Sequence, residues 1–178
     1  MPTHMQEIEV KILEVDPSDI IARLTAAGAT LRFDGEMYAL FYDDSQGNIT
    51  ARGDVLRLRR EGPETVLAYK RHISRDGAKV MEETETQVTS LEALHTILTQ
   101  TGLQVIKKTR KHRIQYDLGD THIVLDTYQD ELAAIPTFME IEAPDLTRLR
   151  EVAALLGYTP EACLSWSTYE LVKHYHAY

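Results

Sequence analysis

The sequence predicts an α+β fold in which about eight antiparallel strands close into a barrel with helices packed outside. Three observations predict it. Apolar and charged residues alternate at period two in segment after segment, as in Glu7-Ile8-Glu9-Val10-Lys11-Ile12 and Leu56-Arg57-Leu58-Arg59. Short turn signals separate many of these segments. Only three or four stretches carry a helical stripe, and many antiparallel strands with few helices favour closure.

The elements follow in order. Gln6 to Glu14 alternates as a strand. Asp16-Pro17-Ser18 opens a helix with Ile20, Ile21, Leu24 and Ala27 as its stripe, ended by Gly28. Residues 30 to 43 read as a strand, and Ser45 to Asn48 as a turn. Val55 to Arg60 and Val66 to Arg71 are strands joined through Glu61-Gly62-Pro63, and Asp76-Gly77 turns the chain into a strand over Val80 to Val88. Ser90 caps a helix carrying Leu91, Leu94, Ile97 and Leu98. Val105 to Tyr116 pairs with His122 to Tyr128 around Leu118-Gly119-Asp120, and Thr137 to Ala143 is the last strand. Helices over Asp145 to Leu156 and Pro160 to His174 complete a single domain over 1–178.

Composition narrows the function. The net charge of −9 argues against nucleic acid or an anionic membrane as partner, since either would want a positive surface. No apolar run is long enough to span a bilayer, and Met1 to Glu9 lacks an apolar signal core, so a cytoplasmic location is expected. Cys163 is a lone thiol, read as a small buried residue among helix-like neighbours. The seven His show no zinc spacing. Nor is there a Gly-rich phosphate loop, a dinucleotide fingerprint or a Ser or Cys nucleophile motif.

The informative feature is the placement of charge. Glu7, Glu9 and Lys11, then Arg57 and Arg59, Glu83 and Glu85, Lys108 and Arg110, and Glu140 and Glu142 are all spaced by two within strand-like runs. Each set therefore shares one face of its strand. One doublet alone reads as a solvated outer face. Taken together the doublets put like charges side by side on nearly every strand, which is unfavourable without a counter-ion or ligand. Turned inward, they make a lumen of clustered carboxylates and cations. Carboxylates bind hard divalent cations, and Arg and Lys bind phosphate oxygens. Lys107 and Lys108 with Arg110, Lys111 and Arg113 carry cations on both parities, so one set faces the lumen and the other solvent.

Glu7-x-Glu9-x-Lys11 is similar to the signature of the CYTH family, the triphosphate tunnel metalloenzymes. Further motifs resemble that family in order: Leu56 to Arg59, Leu67 to Lys70, Lys108-Thr109-Arg110, Leu125-Asp126, Phe138 to Glu142 and Thr168 to Leu171. The resemblance implies an eight-stranded antiparallel triphosphate tunnel. It implies Mg²⁺ or Mn²⁺ on Glu7, Glu9, Glu140 and Glu142 with Asp126, and Glu83 and Glu85 as further candidates. It implies triphosphate on Lys11, Arg57, Arg59, Lys70, Lys108 and Arg110, with Lys11 and Lys70 catalytic. Three departures stand out. Phe41 replaces the Tyr that pairs with the strand Lys in thiamine triphosphatases, and Tyr42 has the opposite parity. Met81 stands where relatives often have Arg. Ala133 to Pro136 replaces a Gly-rich turn.

The resulting expectation is a metal-dependent triphosphatase cleaving inorganic triphosphate or a nucleoside triphosphate. Hydrolysis asks only for water, whereas a class IV adenylate cyclase must also hold adenosine in one pose. A non-catalytic polyphosphate or nucleotide sensor is a third reading, and a homodimer is compatible with the sequence.

Overall fold

The alternating segments become strands of one closed sheet. A computed structural model describes residues 3–74 and 77–175, with side chains described from Ile8 onward. The strands are β1 (Thr3–Ile12), β2 (Thr30–Asp43), β3 (Val55–Glu61), β4 (Glu64–Ser74), β5 (Lys79–Gln87), β6 (Gln104–Leu118), β7 (Thr121–Tyr128) and β8 (Phe138–Ala143). The helices are α1 (Pro17–Ala26), α2 (Asn48–Ala51), α3 (Leu91–Gln100), α4 (Leu146–Leu155) and α5 (Thr168–His174). All pairings are antiparallel, and the barrel closes in the order β1-β5-β4-β3-β2-β6-β7-β8.

The apolar face of the sheet points outward, where helices cover it. Ile20 and Leu24 of α1 and Leu149 and Val152 of α4 meet Val10, Ile12, Ile123, Met139 and Ile141 in one core. Each fully buried Leu or Ile there contributes about 2 kcal/mol by leaving water. A second cluster seats Leu91, Leu94 and Leu98 of α3 against Leu40, Tyr42 and Leu58. The helix starts are built as their sequences indicate. Asp16 accepts from the Ser18 and Asp19 amides, and the Ser90 hydroxyl accepts from the Ala93 amide.

The end of the chain differs from the expected continuous helix over 160–174. A short 3₁₀ turn at Pro160–Ala162 is followed by extended backbone, and Leu164 exchanges two main-chain hydrogen bonds with Lys11, at 2.7 and 2.9 Å. Cys163 is accordingly half-buried in extended backbone rather than helical. Ser167 then starts α5 with a capping box to Glu170. Leu171 and Val172 pack on Tyr128 and Phe138, which have lumen parity, so α5 stoppers one end of the barrel. The turn read over residues 45–48 runs into the one-turn helix α2. Of the Asp76-Gly77 turn, Asp76 lies outside the described residues.

Candidate functional site in the barrel lumen

Because the outer face is apolar, the alternating charges have nowhere to point but inward. Register brings them into rows. Asp117 pairs with His122, His122 with Glu142, Glu142 with Glu9, and Glu9 with Lys79, so one row crosses five strands. Towards the end away from α5 the lumen widens into a cavity of about 300 Å³. It is lined by Glu9, Arg59, Glu61, Glu83, Glu85, Arg113, Gln115, His122, Val124, Glu140 and Glu142. Val124 is the one apolar lining residue.

Charge pairing is tight around one part of this lumen and loose around another. Lys11 Nζ lies 2.6 Å from Glu140 and 3.3 Å from Glu9, and is 2% exposed. Arg113 holds Asp126 through two bonds of 2.7 and 2.8 Å, and Lys111 donates to the same carboxylate. On the β3–β5 side, Arg57 stands 3.8 Å from Glu83, and Arg59 stands 3.5 Å from Glu85 and 3.6 Å from Glu61. The Arg59 Nε is shielded from solvent and makes no hydrogen bond. Lys70 reaches Glu83 at 3.0 Å. With its carboxylates at 3.5 Å or more, Arg59 keeps its Nε donor available to a ligand.

Most of the residues singled out from sequence share this lumen: Glu9, Lys11, Arg57, Arg59, Lys70, Glu83, Glu85, Asp126, Glu140 and Glu142. Glu7 has the same parity on β1, but its side chain lies outside the described residues. Two residues are corrected. Lys108 and Arg110 are exposed on the outer face, where Arg110 stands 3.6 Å from Asp130. Their places inside are taken by Lys111 and Arg113, both 8% exposed. The cause is register: Arg113 pairs with Asp126 across β6 and β7, and Asp126 must face the lumen cations. Asp126 itself is fully engaged by Lys111 and Arg113, so its oxygens are committed within the protein.

The sequence departures also resolve. Phe41 has lumen parity, with the Lys107 ammonium 5.6 Å from its ring centroid. Tyr42 points the other way and is 2.9 Å from Nδ1 of His95. Met81 is buried in the row between Glu7 and His72. Sequence reasoning missed Lys79, Glu61, Gln115 and His122. The available signal was strand parity: Lys79 and Glu83, or Glu61 and Arg59, are an even number of residues apart.

Burial pushes the carboxyls of Glu9, Glu140 and Glu142 up, and the neighbours decide the outcome. For Glu9, Lys11, Lys79 and Lys70 outweigh burial and hold the carboxyl well below its ordinary value. Lys11 chiefly does the same for Glu140. Burial wins at Glu142, whose carboxyl is raised, with Glu9 adding to the effect and Lys70 opposing it. Glu142 makes no hydrogen bond or ion pair among the described residues. The donor chemistry here is all oxygen and suits a hard divalent cation. A cation held by Glu9 and Glu142 would relieve the Glu9 repulsion that adds to the effect of burial at Glu142. Among the described residues, no three His, Cys, Asp or Glu side chains form a preformed metal cluster. None of the described helices is long and apolar enough to cross a membrane.

Comparison with known proteins places this geometry. The family model of the CYTH domain matches residues 5–150. A Vibrio parahaemolyticus protein provisionally named an adenylate cyclase superposes with a TM-score of 0.81 at 21% identity, over 96% of this chain and 99% of that one. A Pyrococcus horikoshii protein gives 0.76 at 22% identity, over 93% and 98%. A Hippeastrum protein provisionally named an adenylyl cyclase, with a dominant triphosphatase activity, gives 0.67 at 15% identity, over 98% and 96%. A search of curated protein sequences finds no match. The family match spans most of the chain and the fold agrees from end to end, so the chain belongs to the CYTH-domain family.

Proposed function

We propose that the protein is a divalent-metal-dependent triphosphatase that hydrolyses inorganic triphosphate, or the terminal phosphate of a nucleoside triphosphate, inside the barrel. The observation that carries this reading is the composition of the cavity wall. Six carboxylates and two guanidiniums line it, with Val124 alone apolar. A wall this polar offers phosphates many partners and a purine ring little beyond His122 and the arginines to stack on. The six carboxylates in it also favour a polyanion that enters with divalent cations rather than alone.

The family is metal-dependent in general, and its members are typically cyclases or triphosphatases acting on triphosphates such as ATP. The Hippeastrum relative named for cyclase activity has a dominant triphosphatase activity, which supports hydrolysis over cyclisation. Mg²⁺ or Mn²⁺ on Glu9, Glu140 and Glu142, with Glu7, would supply Lewis-acid neutralisation of the phosphate oxygens. Arg57, Arg59 and Lys70 hold the phosphate chain from the β3–β4 wall. Arg113 and Lys111, fixed by Asp126, cradle it from the opposite wall. Burial works against the Lys11 ammonium, but Glu140 and Glu9 outweigh it and keep it protonated. Lys11 therefore acts as a fixed positive charge rather than as a base, and Lys70 takes charge building on the leaving diphosphate. Water oriented by a lumen carboxylate adds to the terminal phosphorus as the bridging P–O bond breaks. The carboxylate takes the water's proton, and orthophosphate leaves together with pyrophosphate from inorganic triphosphate, or with the nucleoside diphosphate from a nucleoside triphosphate.

The test is phosphorus NMR of purified protein given ATP with Mg²⁺ or Mn²⁺. Orthophosphate and ADP are expected. Pyrophosphate with cyclic AMP would replace this reading with the cyclase.

A further inference from the structure

Lys79 is a lumen cation outside every motif that the sequence offers. It is the first residue of β5 and the last to pair with β1, opposite Glu9. Its Nζ lies 2.7 Å from Glu9 Oε1, and that same oxygen receives Lys11 at 3.3 Å. The two lysines are not equivalent. Lys11 retains Glu140 at 2.6 Å if Glu9 is withdrawn, whereas Lys79 makes no hydrogen bond or ion pair other than that to Glu9 among the described residues. On the other flank of Glu9 stands Glu142, which has no ion pair among the described residues.

We propose that Lys79 is a displaceable counter-ion: it holds Glu9 in the metal-free protein, and it turns to a substrate phosphate when a divalent cation takes Glu9. This rests on the reading above that Glu9 is a metal ligand. A cation bound between Glu9 and Glu142 competes with Lys79 for one carboxylate. Once displaced, the ammonium is only 14% exposed and cannot stay buried and unpaired without a large penalty. Among the described residues its other charged neighbours are Lys11 and Lys70, so with Glu9 taken by the cation a substrate phosphate is the anion best placed to meet it. Its four-carbon stem gives it the reach. The consequence is coupling. Metal makes Lys79 available to phosphate, and phosphate draws Lys79 off Glu9, so each ligand tightens the other.

The test is calorimetric titration of the full chain with Mn²⁺ alone, comparing wild type with Lys79→Met. The variant lacks the competing ammonium, so Mn²⁺ should bind it roughly five- to tenfold more tightly. With Mn²⁺ saturating, the imido analogue of inorganic triphosphate should bind the variant about tenfold more weakly. Lys79→Gln, which keeps a donor to Glu9 without the charge, should show both shifts, and Lys79→Arg neither. Thermal unfolding of each variant checks the fold. Equal or weaker Mn²⁺ binding by a folded Lys79→Met or Lys79→Gln overturns the inference alone. No Mn²⁺ binding by wild type overturns the metal-ligand reading of Glu9, and this inference with it.

Discussion

Glu9 and Glu142 face the same lumen across the β1–β8 seam, yet their carboxyls are shifted in opposite directions. Three lysines surround the first, and burial dominates the second. On the proposed reading, a divalent cation between them would offset the charge on both. Glu142→Gln should therefore stabilise the metal-free protein by about 1 kcal/mol at pH 7. The sign follows from linkage. A carboxyl raised in the fold costs stability above its unfolded value, and that cost vanishes in acid where both states are protonated. The variant's advantage should thus disappear by about pH 4. Adding Mg²⁺ or Mn²⁺ should raise the melting temperature of wild type but not of the variant. Thermal unfolding at both pH values, with and without metal, checks this.

Asp126 holds two buried cations, Lys111 and Arg113, at once. Asp126→Asn leaves Lys111 without its paired carboxylate and Arg113 with Glu140 alone, 3.6 Å away, and should destabilise the fold by about 3–5 kcal/mol, measured by urea unfolding. A loss below about 1 kcal/mol would mean that the pairing is not structural.

Strand β6 offers a parity test. Lys111→Ala and Arg113→Ala should each reduce kcat/KM for inorganic triphosphate by about 100-fold or more, because they remove charge-assisted donors from the lumen. Lys108→Ala and Arg110→Ala remove exposed side chains and should leave it within about twofold. Reversed effects would mean that the register of β6 is wrong.

Lys107 sits over Phe41 without a carboxylate partner among the described residues, and burial pulls its ammonium down to about 8. Below that pH the ammonium is charged in both the folded and unfolded chain, and burying the charge costs the fold its full penalty. The penalty shrinks as pH rises from about 8 towards its unfolded value of about 10.4. Lys107→Met should therefore add about 1 kcal/mol of stability at pH 7 and much less at pH 10, by thermal unfolding.

Much of this was legible in the sequence, for a physical reason. A strand with charges on one parity and Ile, Leu or Val on the other has only two orientations, and helices with apolar stripes must cover the apolar one. That logic gave the inward faces of β1, β3 and β8. It failed on β6, where cations occupy both parities and only Asp126 on a neighbouring strand decides between them. It also missed Lys79, because a single Lys after a turn forms no doublet. The continuous helix expected over 160–174 is interrupted because Leu164 pairs with Lys11, a contact more than 150 residues away along the chain. The capping box of Ser167 with Glu170 marked the new helix start and could have been read.

The most direct test is release of orthophosphate from inorganic triphosphate by the purified protein with Mg²⁺ or Mn²⁺, run beside the same assay in EDTA and beside Glu9→Gln. Turnover with metal, abolished by EDTA and reduced at least about 100-fold in the variant, is the expected result. No release from inorganic triphosphate, or release that persists unchanged in EDTA, would contradict a metal-dependent triphosphatase in the barrel.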